Sequence, residues 1–171
     1  GVDSLLQVKV GDNLGRITAL LQRTLAEADA VIVCGGLGPT HDDITRDAIA
    51  AVMGVELRLD EGVAVMIERM FASRGRTMPA NNLRQAQVPE GATIIPQTRG
   101  TAPGLICPVE IGGVTKVIYA VPGVPHEMQE MVQRAVLPDL LAHSGEHAVI
   151  RSRTLRTWGE SESGLNERLD A

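Results

Sequence analysis

A chain of 171 residues, 44% hydrophobic and 22% charged, fits one globular α/β domain that buries a core without staples. Its net charge of −5 argues against a nucleic-acid partner or a membrane surface held by bulk electrostatics. With one Trp, one Tyr and one Phe, the core has to be aliphatic.

Residues 5–10 form a short apolar strand candidate closed by Gly11-Asp12-Asn13, and Asp12 or Asn13 can cap the helix that follows. Leu14, Ile17, Leu21, Leu25 and Ala28 then fall on one stripe at helical spacing. Residues 30–34, Ala-Val-Ile-Val-Cys, read as a buried parallel strand, so strand, helix and strand make a right-handed βαβ unit. A helix over 44–53 follows, ended by Gly54, with Thr40 and Asp43 spaced as a capping pair. From Asp60, the apolar positions Val63, Met66, Ile67, Met70 and Phe71 predict an amphipathic helix stopped at Gly75. Residues 79–87 read as a short polar helix whose Asn81, Asn82, Arg84 and Gln85 are too polar for core. That leaves them to solvent, or to a ligand or subunit contact.

A brief strand at 93–96 leads to a second glycine- and proline-rich break, Gly100-Thr101-Ala102-Pro103-Gly104. Two β-rich runs, 105–110 and 115–120, flank Gly112-Gly113 as a hairpin. A third break, Pro122-Gly123-Val124-Pro125, feeds a helix with Met128, Met131, Val132, Ala135 and Val136 as its buried stripe. Residues 149–158 alternate as a half-exposed strand, and 160–169 read as a final helix. This predicts a domain over residues 1–147, with 148–171 leading to a second domain or partner. The start at Gly1 and the helix-like end read as the ordered part of a longer polypeptide.

The chemistry concentrates where strand 30–34 gives way to Gly35-Gly36-Leu37-Gly38-Pro39-Thr40 and then Asp42 and Asp43. Strand, glycine turn and helix start make an anion site, because backbone N–H groups can approach a phosphate closely. Two carboxylates beside a phosphate repel it unless a divalent cation, Mg²⁺ or similar, lies between them. One Asp would then take the cation and the other orient or deprotonate a water, with Thr40 offering a hydroxyl and an N–H. The plainer alternative has Asp43 capping the helix and Asp42 solvated.

The three breaks sit at three strand ends and should converge on one crevice. That places Gly100, Thr101, Gly123 and Glu127 around the same ligand, although Glu127 could simply favour its helix start. His41, His143 and His147 read as surface residues, and no zinc spacing exists. Cys34 and Cys107, each inside an apolar run, read as buried reduced thiols and point to a cytoplasmic setting. No signal peptide or membrane-length apolar run is visible. Trp158 and Tyr119 read as packing residues.

The chain resembles the molybdopterin-binding superfamily, and within it the N-terminal domain of the competence/damage-inducible protein A (CinA) family. The motifs that carry this are VGDN at 10–13, GGLGPTHDDITR at 35–46, and GR-x-MP-x-NN at 75–82. RQA at 84–86, GTAPG at 100–104, PGVPHEM at 122–128 and GESES at 159–163 complete the set. The resemblance implies a three-layer α/β/α fold, a mostly parallel sheet with a β-hairpin, and a homodimer or larger assembly. It also implies metal-dependent hydrolysis of ADP-ribose to AMP and ribose 5-phosphate. Family members carry a further strand and helix before the position of Gly1, so the first strand and helix are expected to be absent. Two other readings stand beside hydrolysis: a pterin-phosphate binding module that does not hydrolyse, and a non-catalytic structural or regulatory dimer.

Overall fold

The computed structural model describes residues 3–145, 156–159 and 161–169. Its longest strands, β5 (Gly104–Ile111) and β6 (Val114–Val121), form the expected hairpin about Gly112-Gly113. β6 is rich in β-branched residues, and its alternation serves two cores at once. Ile118 and Ala120 face one side, while Val117, Tyr119 and Val121 face the other. β1 (Ala30–Cys34) lies parallel to β6, and β4 (Thr93–Ile95) antiparallel to β5, in the order β1-β6-β5-β4. The expected predominance of parallel pairing reduces, among the described strands, to β1–β6, because the tight hairpin returns the chain antiparallel.

Helices cover both faces, as the three-layer α/β/α expectation requires. On one side, α1 (Leu14–Glu27) contributes Ile17, Leu21 and Leu25, and α2 (Thr45–Met53) contributes Ala48 and Ile49. They pack on Leu105, Cys107, Val109, Ile118 and Ala120. On the other side, α4 (Pro125–Met131), a π-turn (Val132–Val136) and α5 (Leu137–Ser144) run on as one helical stretch. Met131 and Val136 are its buried members. The N–H of Leu137 donates to the Val132 carbonyl, one residue further back than an α-helix allows. That widening accommodates Pro138, which has no N–H to give and would otherwise clash with the preceding turn.

α3 (Glu61–Ala72) forms as its periodicity predicts, with the Asp60 side chain accepting the Val63 N–H. It packs Val63 and Ile67 against Ala86 of a 3-10 helix (Ala80–Ala86). A separate antiparallel pair, β2 (Leu57–Leu59) with β3 (Gln87–Pro89), closes this flank. Three-residue strands are too short to declare themselves by alternation. α6 (Glu162–Leu169) is the expected final helix.

Several expectations are corrected. Residues 5–10 carry no strand: Leu5, Leu6, Val8 and Val10 are exposed, and no described strand takes their N–H and C=O groups. The βαβ unit is therefore only α1 followed by β1. β1 is an edge strand rather than a buried one, with Ile32 47% exposed. Cys34 at its end is exposed too, whereas Cys107 in the central hairpin is buried. The polar 3-10 helix is not simply solvated. Asn82 and Gln85 are buried, and Arg84 reaches Asp47 on α2 at 2.8 Å. Trp158 is 99% exposed rather than packed, while Tyr119 is buried with its hydroxyl donating to Asp139 at 2.7 Å. The strand expected over 149–158 falls mostly outside the described residues, as does His147, and 156–159 form no strand.

Candidate functional site

The glycine turn leaves the sheet where the C-terminal ends of β1 and β6 lie side by side. The Gly35 N–H donates to the Val121 carbonyl at 2.9 Å, and the Cys34 thiol to the Pro122 carbonyl at 3.4 Å. Thr45, buried at the start of α2, pins the turn from behind. Its hydroxyl donates to the Gly35 carbonyl at 2.9 Å and its N–H to the Gly36 carbonyl at 3.2 Å. Gly36 has φ +68, and a Cβ there would run into the Thr45 hydroxyl, so only glycine fits.

Arg46 braces the next part of the loop. It is 2% exposed, and its guanidinium donates to the carbonyls of Leu37 and Gly38, the latter at 3.5 Å. Burial pulls its pKa down to about 10, against the opposite pull of the Asp43 carboxylate. A Cβ on Gly38 would overlap that same carboxylate.

Thr40 gathers the two acids. Its N–H donates to Asp43 Oδ2 at 2.9 Å, and its Oγ1 stands 2.5 Å from Asp42 Oδ1 and 2.6 Å from Asp43 Oδ2. A hydroxyl has one proton, so it can satisfy only one of these oxygens at a time. The Thr40 hydroxyl holds the Asp42 carboxyl below its ordinary pKa. Partial burial pushes Asp43 upward, but the Thr40 hydroxyl, the N–H groups of Thr40 and Gly38, and Arg46 together outweigh it and leave it lowered. Both acids are therefore anionic at neutral pH. The plainer role for Asp43 fails in detail: α2 starts at Thr45, and its N-cap, Ile44, has no side-chain hydrogen bond. The Asp43 side chain closes the loop onto Thr40 instead, and His41 stays exposed.

The other two breaks sit at the same end of the sheet, because β5 starts and β4 ends where β6 finishes. Gly123 touches Gly35 backbone to backbone; a Cβ on Gly123 would lie 3.4 Å from the Gly35 Cα. In the second break, Gly100 has φ +71, and a Cβ on it would run into the carboxylate of Glu127. The Thr101 carbonyl accepts from Gln97 at 3.3 Å. The predicted residues thus form two groups. Gly35, Gly36, Gly38, Thr40, Asp42 and Asp43 make one, Gly100 and Glu127 the core of the other, and Gly123 leads from the first toward the second. Among the described residues no hydrogen bond or ion pair joins Asp42 or Asp43 to Glu127. Thr45 and Arg46 were missed as members of the site. The three-residue spacing from Asp43 to Arg46 was the available signal, since it puts both charges on one side of a helical start.

Fold and loop together define a class. A family model described as "Probable molybdopterin binding domain" matches residues 1–142. Within that class, the chain is 46% identical over 174 residues to a CinA-like protein of Frankia casuarinae, covering 99% of this chain. It is 45% identical over 167 residues to a CinA-like protein of Picosynechococcus sp., covering 96% of this chain. The crystal structure of the protein CinA with unknown function from Thermoplasma acidophilum superposes with a TM-score of 0.65 at 36% identity. That match covers 75% of this chain and 72% of the other. The chain belongs to the CinA family. It spans 39% of the length of the two curated relatives named here.

Proposed function

We propose that this domain is a metal-dependent nucleotide diphosphatase that hydrolyses ADP-ribose to AMP and ribose 5-phosphate. The observation that carries this reading is the convergence of Asp42 Oδ1 and Asp43 Oδ2 on the single hydroxyl of Thr40, at the rim of a glycine turn. Two anionic oxygens crowded around one proton make an all-oxygen donor set, which suits a hard divalent cation. Among the described residues no group of three or more His, Cys, Asp or Glu is placed to hold a metal ion. One of Asp42 and Asp43 would therefore hold a cation, with water and substrate phosphate completing its shell, the usual manner for Mg²⁺. Such an ion, when bound, supplies charge neutralisation to a phosphoryl group under attack.

This chain's own groups do the rest. The turn at Gly35, Gly36 and Gly38 would bring main chain close to a diphosphate, since none of the three carries a side chain of its own. Whichever Asp is not engaged by the cation orients a water and accepts its proton. The water oxygen bonds to phosphorus, the bridging P–O bond breaks, and two phosphate monoesters leave. Arg46, behind the loop, keeps its carbonyls turned away from the anion.

A second reading, pterin-phosphate binding without hydrolysis, draws support from the family model that matches residues 1–142. Incubating the full chain with ADP-ribose and Mg²⁺ or Co²⁺ separates the two. Release of AMP and ribose 5-phosphate that a chelator abolishes is the expected result. Intact ADP-ribose with every cation, from folded protein, would sink the reading and leave pterin binding in its place.

A further inference from the structure

The first turn of α2 carries three consecutive polar side chains with different tasks. Thr45 and Arg46 donate to the carbonyls of the glycine turn. Asp47 instead meets the 3-10 helix, where Arg84 donates to its Oδ2 at 2.8 Å. That helix is a firm base for Arg84. Its neighbours Gln85 and Ala86 are buried, and the Ala86 carbonyl accepts the Asp60 N–H at 2.8 Å. The ion pair itself is open, with side chains 30% and 35% exposed. A pair this open adds little stability by itself, so its worth lies in what it prevents.

The buried Arg46 guanidinium is drawn by two carboxylates, Asp43 and Asp47, and repelled by Arg84. Its hydrogen bonds nonetheless go to two neutral carbonyls, those of Leu37 and Gly38. A guanidinium held away from water gains more from a carboxylate than from a carbonyl. The arrangement therefore persists only while both acids are engaged elsewhere. Asp43 is held by the N–H and hydroxyl of Thr40, and Asp47 by Arg84. Without Arg84, a bare carboxylate would stand one residue along from a buried cation. Consecutive helix positions point about 100° apart, so Arg46 could reach Asp47 only by leaving the loop carbonyls.

We infer that Arg84 is a positioning residue for the glycine turn: it keeps Asp47 occupied, so that Arg46 stays on the Leu37 and Gly38 carbonyls and Gly38 stays against Asp43. Arg84 acts on the site through Asp47 and Arg46. The inference rests on the proposed function only for its activity readout, because the state of the loop is measurable without turnover.

Two readouts on the full chain test this: amide exchange across 37–43, and AMP release from ADP-ribose with Mg²⁺. Arg84→Met should exchange about tenfold faster in the loop, the worth of a lost hydrogen bond to a charged group, and release AMP about tenfold more slowly. Arg84→Lys should match the wild type, because one nitrogen of Arg84 donates to Asp47. Asp47→Asn removes the competitor together with the pair. It should stay within about twofold of the wild type, and added to Arg84→Met it should restore both readouts to that level. An ion pair that merely props α2 predicts otherwise: equal damage from either single change and no recovery in the double variant. Unchanged loop exchange in a folded Arg84→Met, Asp47→Asn as damaging as Arg84→Met, or a double variant no better than Arg84→Met would each overturn the inference. Where Arg84→Met does not fold, recovery of folding in the double variant supports the inference and continued failure overturns it. The expected loop exchange without AMP release from any protein would keep this inference and sink the hydrolysis. AMP release by the wild type beside an unmoved loop in Arg84→Met would do the opposite.

Discussion

Replacing Arg46 by Met asks whether a buried guanidinium holds the glycine loop in shape. Met fills much of the same volume and restores apolar contact, but it donates nothing. The Leu37 and Gly38 carbonyls would lose their donor, at about 1–3 kcal/mol for each acceptor left unpaired out of water. Asp43 would lose the positive charge behind it. Against this, the variant no longer strips water from a cation, which returns part of the cost. The balance is a destabilisation of about 2–4 kcal/mol, or roughly 5–15 °C in Tm for a domain of this size. Thermal and urea melts followed by circular dichroism measure it, with amide exchange across 37–43 as the local readout. Arg46→Lys should fall between, because one ammonium cannot serve two carbonyls in the same geometry. A Met variant that melts with the wild type, and exchanges no faster in the loop, would refute the brace.

Gly36→Ala should cost about 1–3 kcal/mol, since alanine is strained at this positive φ and its methyl meets the Thr45 hydroxyl; the urea midpoint reports it. The pH dependence follows from Asp43, whose folded pKa is lowered. Its contribution is complete above its unfolded pKa, about 3.9, and is lost as pH falls through the folded value. Urea titrations should therefore find Asp43→Asn less stable than wild type at about pH 6, with the gap closing at about pH 2. A gap that widens on acidification would contradict the sign. Burial pushes the Cys107 thiol up to about 12, while Cys34 is exposed, so a thiol reagent at about pH 8 should label Cys34 alone. Mass spectrometry should find a second adduct only after unfolding.

How far the sequence foretold this depends on what each signal encodes. Periodicity was enough for α1 and α3, because one apolar stripe maps onto one buried face. Gly112-Gly113 between β-rich runs was enough for the hairpin. What failed depended on neighbours. Residues 5–10 look like a strand, yet a strand exists only where another accepts its hydrogen bonds. Cys34 looks buried by the company of Val31, Ile32 and Val33, but its strand lies at the sheet edge. Asn82 and Gln85 look solvated, yet a 3-10 helix with too little apolar surface was packed inward. The site divides the same way. Glycines and acids advertise themselves, whereas Arg46 resembles any surface arginine until the loop folds over it.

The proposed hydrolysis depends on the pair of acids at the glycine turn. The measurement that tests it most directly is AMP release from ADP-ribose by the full chain beside its Asp42→Asn, Asp43→Asn double variant, with thermal melts confirming that both are folded. The account predicts cation-dependent release by the wild type and a loss of about a hundredfold or more in the variant, the scale of a removed acid–base group. Release that persists undiminished in a folded double variant would place the chemistry elsewhere and contradict it.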